Sequence, residues 1–209
     1  MATNAILEGK GEPTALITTE GFRDVLELAR IRTPHLYDLY YQKPPPLVER
    51  NLRFEVAERM TFQGEVLKPL DVSGLEEVVK RIESTGLRSV AIALLHSYAN
   101  PEHEIRVAEA VRARIPDASL SISSDLLPEM REYERTSTTV INAYVRPVVA
   151  EYLSNLKAEM LANGIEVPLM VMQSNGGLMP VESAIEKPMY CIESGPAAGV
   201  VGAYQLGKR

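Results

Sequence analysis

A glycine-rich segment of the sequence combines residue types that can position an anion. ESGPAAGVVGA, residues 193–203, places Ser194 and Gly195 ahead of Pro196, the pattern of a helix that begins at a serine cap. The free N–H groups of a helix N-terminus can hold a phosphate. The glycine spacing matches neither G-x-G-x-x-G nor G-x-x-x-x-G-K-[ST]. We therefore favour a second interpretation, in which Gly199 and Gly202 let the helix pack close to a neighbour.

A second candidate loop, QSNGGLM, follows the apolar run PLMVM, which we expect to be a buried strand. Its residues Ser174, Asn175, Gly176 and Gly177 would lie at the carboxyl end of that strand, where open α/β sheets bind their ligands. Asparagine and glycine also let a ligand approach the backbone amides. An ordinary strand-to-helix turn explains the same residues equally well.

The third candidate is PEMREYERTSTTVINAY, which places charged and hydroxyl side chains at the start of one predicted helix. Charges at helical spacing are typical of a solvated face. Four consecutive hydroxyl residues weaken a helix, which indicates contact with a ligand or a partner. The residues predicted to contact substrate or partner are Arg131, Glu134, Arg135, Thr136 and Ser137.

Metal and nucleophile chemistry find little support in the sequence. The histidines His35, His96 and His103 have no second ligand at zinc spacing. The single cysteine, Cys191, has no base beside it, so we interpret it as a small core residue. We expect no metal site, and no catalytic residue is assigned.

Composition limits the class of protein. The 209 residues are 45% hydrophobic and 24% charged, ordinary values for a globular protein, and the net charge is −6. A negative charge repels phosphates, so we expect no nucleic acid partner and no membrane partner. No apolar run is long enough to span a bilayer. These features favour a cytoplasmic protein.

Strands and helices alternate in the way that predicts an α/β fold with a mixed sheet and flanking helices. The segments LRFEV and EVLKPL, joined by a Gln63–Gly64 turn, are expected to form a hairpin. Predicted strands cover 15–19, 52–56, 65–70, 89–95, 119–123 and 168–172, and predicted helices cover 21–30, 73–85, 101–115, 129–163 and 195–206.

Two of these helices carry specific expectations. Ser73 should cap one helix and Gly86 should end it. In the long helix about 129–163, Pro147 removes the hydrogen bond to the Ala143 carbonyl, so the helix bends or a neighbour supplies a donor. The predicted apolar stripe of that helix is Val140, Tyr144, Val148, Tyr152, Leu156 and Met160.

Together the segments resemble the hydantoinase A/5-oxoprolinase family. They are ATNAILEGKGEPTALITTEGFRDVLELAR, LLHSYANPEHE, LPEMREYERTSTTVINAYVRPVV, MQSNGGLM and SGPAAGVVGA, which cover nearly the whole chain. The resemblance implies an actin/Hsp70/sugar-kinase-like fold and ATP-dependent opening of a small cyclic amide such as hydantoin, N-methylhydantoin or 5-oxoproline. It implies ATP and Mg²⁺ as cofactors, a B-type partner subunit, and acetone and acetophenone carboxylase subunits as relatives.

The resemblance also implies that the chain is an internal fragment. Residues 1–125 match the latter part of the family's N-terminal domain and 126–209 the start of its hydantoinase A domain. The family's phosphate loops, D-x-G-G-T-x-T-D and D-M-G-G-T-S-T-D, do not occur in the sequence. Ser174, Asn175, Gly176, Gly177, Ser194 and Gly195 would then lie near a nucleotide held by other residues. We expect the isolated chain to be inactive and to bind no nucleotide or metal.

The chain should form a homo-oligomer through the long helix and a free strand edge. The alternative to an enzyme is a non-catalytic assembly module for the B-type partner. Substitution of Arg135 by alanine in the complete enzyme should lower turnover and leave the melting temperature nearly unchanged.

Overall fold

The computed structural model describes residues 2–30 and 37–208, so the prediction for His35 falls outside the described residues. The chain is a mixed α/β protein with a parallel sheet and flanking helices, which confirms the predicted fold class. It divides into two compact units. We call Pro13–Ala143 the sheet unit, and Met1–Glu12 with Tyr144–Arg209 the hairpin unit. The predicted family boundary at 125/126 is a separate division and stays a prediction.

The sheet unit contains a four-stranded parallel sheet with strand order β2-β1-β5-β6. Its elements are β1 (Thr14–Thr19), α2 (Val25–Leu28), a 3₁₀ turn (Arg50–Leu52), β2 (Arg53–Val56), β3 (Arg59–Met60), β4 (Val66–Lys68), α3 (Val72–Thr85), β5 (Ser89–Ala93), α4 (Glu102–Arg114), β6 (Ser119–Ile122), α5 (Ser123–Leu126) and the start of α6 (Glu132–Ala162). The helix α1 (Ala2–Leu7) precedes them in the hairpin unit.

Both faces of this sheet are covered. Ile17, Ile92 and Val107 belong to a core in which α3 and α4 pack on one face. Leu16, Ala91 and Val140 belong to a second core on the opposite face, where α6 packs. A parallel sheet buried on both faces explains why every residue of β1 and β5 is buried. The carboxyl ends of β1 and β5 therefore meet at one edge of the sheet.

The predicted hairpin between LRFEV and EVLKPL is wrong. Arg53–Val56 pairs in parallel with β1, with Phe54 opposite Ile17. The segment Val66–Lys68 pairs instead with Arg59–Met60. Phe54 and Val56 are buried in the main core, whereas all of β4 is exposed. Burial of these two side chains thus outweighs the short turn between the segments.

The helix predicted at 73–85 forms, but its cap differs from the prediction. Asp71, not Ser73, is the N-cap, and its carboxylate accepts a hydrogen bond from the Gly74 N–H. Gly86 ends the helix with φ of 76°, as predicted. In α4, Val107, Ala108 and Val111 are buried, whereas Ile105 is 48% exposed.

The long helix α6 forms over Glu132–Ala162, but its predicted stripe is only partly correct. Val140 and Tyr144 are buried, whereas Tyr152 is 47% exposed. Residues four apart drift about 40° around an α-helix at each step, so an exact four-residue spacing leaves the buried face. The buried residues after Tyr144 are Val145, Val149 and Leu153.

A neighbour supplies the donor that Pro147 lacks. Ser89, fully buried in β5, donates its hydroxyl to the Ala143 carbonyl at 2.7 Å. This is the carbonyl that residue 147 would bind in an uninterrupted helix. The second of the two predicted outcomes, a donor from a neighbouring element, is confirmed.

We expect Ser89→Ala to lower the free energy of unfolding by about 1–3 kcal/mol, because the buried Ala143 carbonyl loses its donor. Urea denaturation measures the loss, and Ser84→Ala on the exposed face of α3 is the matched control. In a Pro147→Ala background the residue 147 N–H can bind Ala143, so Ser89→Ala should cost less there. An equal cost in both backgrounds would contradict this role of Ser89.

The hairpin unit holds small elements around the second half of α6. They are α1, β7 (Met170–Met172), β8 (Leu178–Pro180), α7 (Val181–Glu186), a 3₁₀ turn (Pro188–Cys191) and α8 (Ser194–Gly207). The strands β7 and β8 form an antiparallel pair. The expected buried strand before QSNGG is therefore a partly exposed hairpin strand.

Close packing of the glycine-rich helix is also contradicted. A Cβ atom added at Gly195, Gly199 or Gly202 would meet nothing within 4 Å, and no residue of α8 is buried. The small residues of α8 are thus not explained by contacts among the described residues. No helix in the described ranges is long and apolar enough to cross a bilayer.

Candidate functional site

Polar side chains from distant parts of the sequence meet at the carboxyl edge of β1 and β5. They come from the turn after β5, the first turn of α4, the start of α5 and the first turn of α6. This edge is where parallel sheets place ligand sites, because loops diverge there around free strand ends. The side chain of Arg135 joins these elements through its hydrogen bonds.

Arg135 is 1% exposed and donates from Nη1 to three acceptors. These are the Leu94 carbonyl at 2.7 Å, the Ser123 hydroxyl at 2.8 Å and the Ser97 hydroxyl. Burial lowers the pKa of Arg135, and the nearby carboxylates of Glu104 and Glu132 oppose that shift. The guanidinium nevertheless stays charged, as arginine does throughout proteins. Arg135 is therefore a buried cation that fixes the turn after β5.

Glu104 supplies the balancing charge. Its Oε1 lies 4.0 Å from Arg135 Nη1 and accepts hydrogen bonds from the Leu94 N–H at 2.8 Å and the Ser123 hydroxyl at 2.6 Å. Its Oε2 accepts from the Ser124 N–H at 2.9 Å. Since the carboxylate is fully buried, these bonds replace its lost hydration. We call Leu94, Ser97, Glu104, Ser123 and Arg135 the Arg135 cluster.

A small cleft lies beside this cluster, and we call it the Arg135 cleft. Its volume is about 10 Å³, enough for one water-sized group. Its polar lining comes from Thr18, Glu132, Arg135 and Thr136, and its apolar lining includes Phe22 and Val25. The Nε atom of Arg135 is buried and has no hydrogen-bond partner.

The other residues predicted to contact substrate or partner lie elsewhere in the sheet unit. Arg131 is exposed, and Glu134 forms an ion pair with Arg30. Ser137 lines a separate groove of about 290 Å³, which we call the proline groove. The proline groove is lined by Leu26, Ala29, Tyr41, Lys43, Pro44, Pro45, Pro46, Leu47, Tyr133, Ser137, Val140 and Ile141. The structure therefore divides the charged and hydroxyl run between two sites.

The residues predicted to lie near a nucleotide belong to the hairpin unit. Residues 173–177 form the turn between β7 and β8, not a loop at the end of a parallel strand. Ser174 donates both its N–H and its hydroxyl to the Tyr190 carbonyl, and Gly176 adopts φ of 86°. The Gly177 N–H donates to Asn175 Oδ1 at 2.8 Å. These contacts fix the turn, and its nucleotide role stays a prediction.

Ser194 and Gly195 are the first residues of α8, but Ser194 is not its cap. Glu193 occupies the N-cap position with φ of 62°, and no side chain caps the helix. The Glu193 N–H donates to the Thr3 hydroxyl at 3.0 Å. A strained backbone at a non-glycine residue is typical of functional turns, although the contact with Thr3 already stabilises this one.

Sequence reasoning missed a second buried polar group at the same edge of the sheet. Glu58 accepts a hydrogen bond from the Thr19 hydroxyl, and its Oε2 lies 2.7 Å from His103 Nδ1. The Thr19 hydroxyl in turn accepts from the Leu95 N–H at 2.9 Å. All three side chains are 3% exposed or less. The only sequence signal was two polar residues, His103 and Glu104, at the start of a predicted helix.

Metal and thiol chemistry have no support in the described ranges. Across residues 2–30 and 37–208, no three His, Cys, Asp or Glu side chains are grouped to hold a metal ion. Burial raises the pKa of Cys191, whose Sγ lies 3.7 Å from Met179 Sδ. A raised pKa disfavours the thiolate, which is the nucleophilic form.

Comparison with known proteins gives the family. Residues 1–115 match the hydantoinase/oxoprolinase N-terminal region, and residues 135–209 match the hydantoinase/oxoprolinase family itself. An uncharacterised protein of Methanocaldococcus jannaschii is 43% identical over 93% of this chain and 28% of its own length. The caprolactamase subunit alpha of Pseudomonas jessenii is 36% identical over 95% of this chain and 29% of its own length.

The fold agrees with that assignment. The nucleotide-free structure of acetone carboxylase, an enzyme of ATP-dependent acetone carboxylation, covers 99% of this chain with a TM-score of 0.89 and 28% identity. This chain covers 31% of that structure, and it spans less than a third of the length of the relatives named above. The chain belongs to the hydantoinase/oxoprolinase family.

Proposed function

We propose that this chain is part of an ATP-dependent enzyme that opens a small cyclic amide of the hydantoin, N-methylhydantoin or 5-oxoproline type. The observation that carries the proposal is 36% identity to a caprolactamase subunit over 95% of the chain. Caprolactam is itself a cyclic amide. Acetone carboxylase acts on a ketone, so the substrates of both relatives contain a carbonyl group.

The chemistry explains why ATP would be needed. An amide is stabilised by resonance and its nitrogen is a poor leaving group. Phosphorylation of the amide oxygen by ATP would make the carbon electrophilic, so that one water adds there and the ring nitrogen leaves with a proton, which breaks the C–N bond and gives an acyl phosphate. A second water would hydrolyse the acyl phosphate to the open-chain carboxylate and free phosphate. We assign Mg²⁺ and ATP to the complete protein. No step involving them is assigned to the residues described above.

Two parts of the sheet unit have distinct roles in this proposal. Arg135 and Thr136, in the Arg135 cleft, face the substrate. Ser137 and the proline groove contact the B-type partner, with Arg131 and Glu134 at the margin of that contact. Tyr37, Leu39 and Tyr40 support a partner surface, because these large side chains are exposed and lie within four residues of one another in the sequence.

The remaining parts of the proposal concern the complete protein. The turn at 173–177 and the start of α8 approach the nucleotide there, and the enzyme acts in the cytoplasm as a homo-oligomer. The alternative is that the chain serves only to assemble the B-type subunit, which the proline groove and its exposed neighbours would also support.

The test is to produce the longer protein that contains this sequence, together with its partner subunit. ADP release should depend on a ring substrate when hydantoin, 5-oxoproline and caprolactam are tried in turn. The 209-residue chain alone should release no ADP under the same conditions. Release of ADP only with a ketone and bicarbonate would contradict cyclic amide opening, and a complex without any ATPase activity would favour the assembly module.

A further inference from the structure

Arg135 has a donor that the cluster around it does not use. Across the described part of the chain, two buried side-chain nitrogens lack a hydrogen-bond partner, Arg53 Nη1 and Arg135 Nε. Arg53 Nη1 lies 3.8 Å from the Asp24 carboxylate, which provides a charge partner. Arg135 instead lines an open cleft. A buried donor without an acceptor is costly, so an oxygen that reaches it would bind favourably.

We propose that the Arg135 cleft binds the carbonyl oxygen of a small neutral ligand and that Arg135 Nε–H donates the hydrogen bond. The identification of the ligand as a cyclic amide rests on the function proposed above. The site itself rests on the burial and contacts of Arg135.

The shape of the cleft favours a single oxygen atom. Its volume of about 10 Å³ admits one water-sized group, so the oxygen enters and the rest of the ligand stays outside. A guanidinium has only donors, and the three acceptors of Nη1 hold this one in place. A donor fixed before the ligand arrives loses little entropy on binding, which is the arrangement that stabilises charge developing on an oxygen.

The charges around the cleft favour a neutral ligand over an anion. Glu104 lies 4.0 Å from Arg135 Nη1, and Glu132 lines the cleft. Two carboxylates therefore surround one guanidinium, so a carboxylate or phosphate ligand meets a net negative environment. A neutral carbonyl carries a strong acceptor without adding charge. Phe22 and Val25 supply apolar contact for the carbon atoms beside it.

Nuclear magnetic resonance of the 209-residue chain tests this directly. Caprolactam and acetone should shift the Arg135 Nε–H signal. They are titrated to about 100 mM, because a ligand held mainly by one hydrogen bond has a millimolar dissociation constant. Acetate at the same concentration should shift it less. Arg135→Lys keeps the cation and removes Nε–H, so caprolactam should bind about tenfold more weakly. The exposed Arg106→Lys is the matched control and should bind within about twofold of the original chain.

Each result decides the matter. An Nε–H signal that stays fixed with both carbonyl ligands, or that responds more to acetate, overturns the proposal. So does a folded Arg135→Lys protein that binds caprolactam unchanged. If Arg135→Lys does not fold, the Nε–H signal of the original chain decides alone. A shifted signal in a protein whose complete form opens no ring would refute the proposed function and leave the carbonyl site standing.

Discussion

Replacing Arg135 by alanine is expected to lower the free energy of unfolding of the sheet unit by about 3–5 kcal/mol, the usual cost of removing one member of a buried ion pair. The substitution leaves the Glu104 carboxylate without its cation. It also removes the donor to the Leu94 carbonyl and the Ser123 hydroxyl. Urea denaturation followed by circular dichroism measures the loss.

The sequence alone led us to expect a nearly unchanged melting temperature for alanine at position 135, whereas the burial of Arg135, which is 1% exposed, leads us to expect this loss of stability. The exposed Arg106→Ala is the matched control and should change stability by less than about 0.5 kcal/mol. If Arg135→Ala is as stable as the original chain, then Glu104 finds other partners and the Arg135 cluster does not hold the edge of the sheet.

The sequence was sufficient to predict elements whose signals are local. The α3 helix has a buried stripe and a terminating glycine within one segment, and the apolar run of β5 is continuous. Strand pairing is not local, because β2 could pair with the segment at 65–70 or with β1. Phe54 is buried in a core whose other residues are distant from it in sequence, and this burial favours pairing with β1.

The site shows the same limit. The charge run at 131–135 is typical of a solvated helix face, and Arg131 is exposed, whereas Arg135 is buried. A run of charged residues does not show which side chain turns inward. Arg135 turns inward because the Leu94 carbonyl and the Ser97 and Ser123 hydroxyls accept its hydrogen bonds. The Glu104 carboxylate balances its charge. A buried arginine is thus specified by its partners, which become apparent once the fold is known.

Glu58 was missed for the same reason, and its replacement has the second largest expected effect. Glu58→Ala should lower the free energy of unfolding by about 2–4 kcal/mol, because two buried groups lose their shared partner. These are the Thr19 hydroxyl and His103 Nδ1. Glu58→Gln should cost less, since an amide keeps both an oxygen for Thr19 and a polar group facing His103. The exposed Glu76→Ala in α3 should cost about 0.5 kcal/mol or less.

A double-mutant cycle separates the Glu58–His103 contact from the loss of side-chain volume. If the pair acts as a unit, Glu58→Ala and His103→Ala together should cost less than the sum of the two, with a coupling of about 1–3 kcal/mol. Each single change leaves a buried polar group unpaired, whereas the double change removes both groups. Strictly additive losses would show that Glu58 is held by Thr19 alone.

The Thr19 hydroxyl also accepts a hydrogen bond from the Leu95 N–H, so loss of Glu58 should loosen the turn after β5. Faster exchange of the Leu95 amide hydrogen in Glu58→Ala would report that loosening.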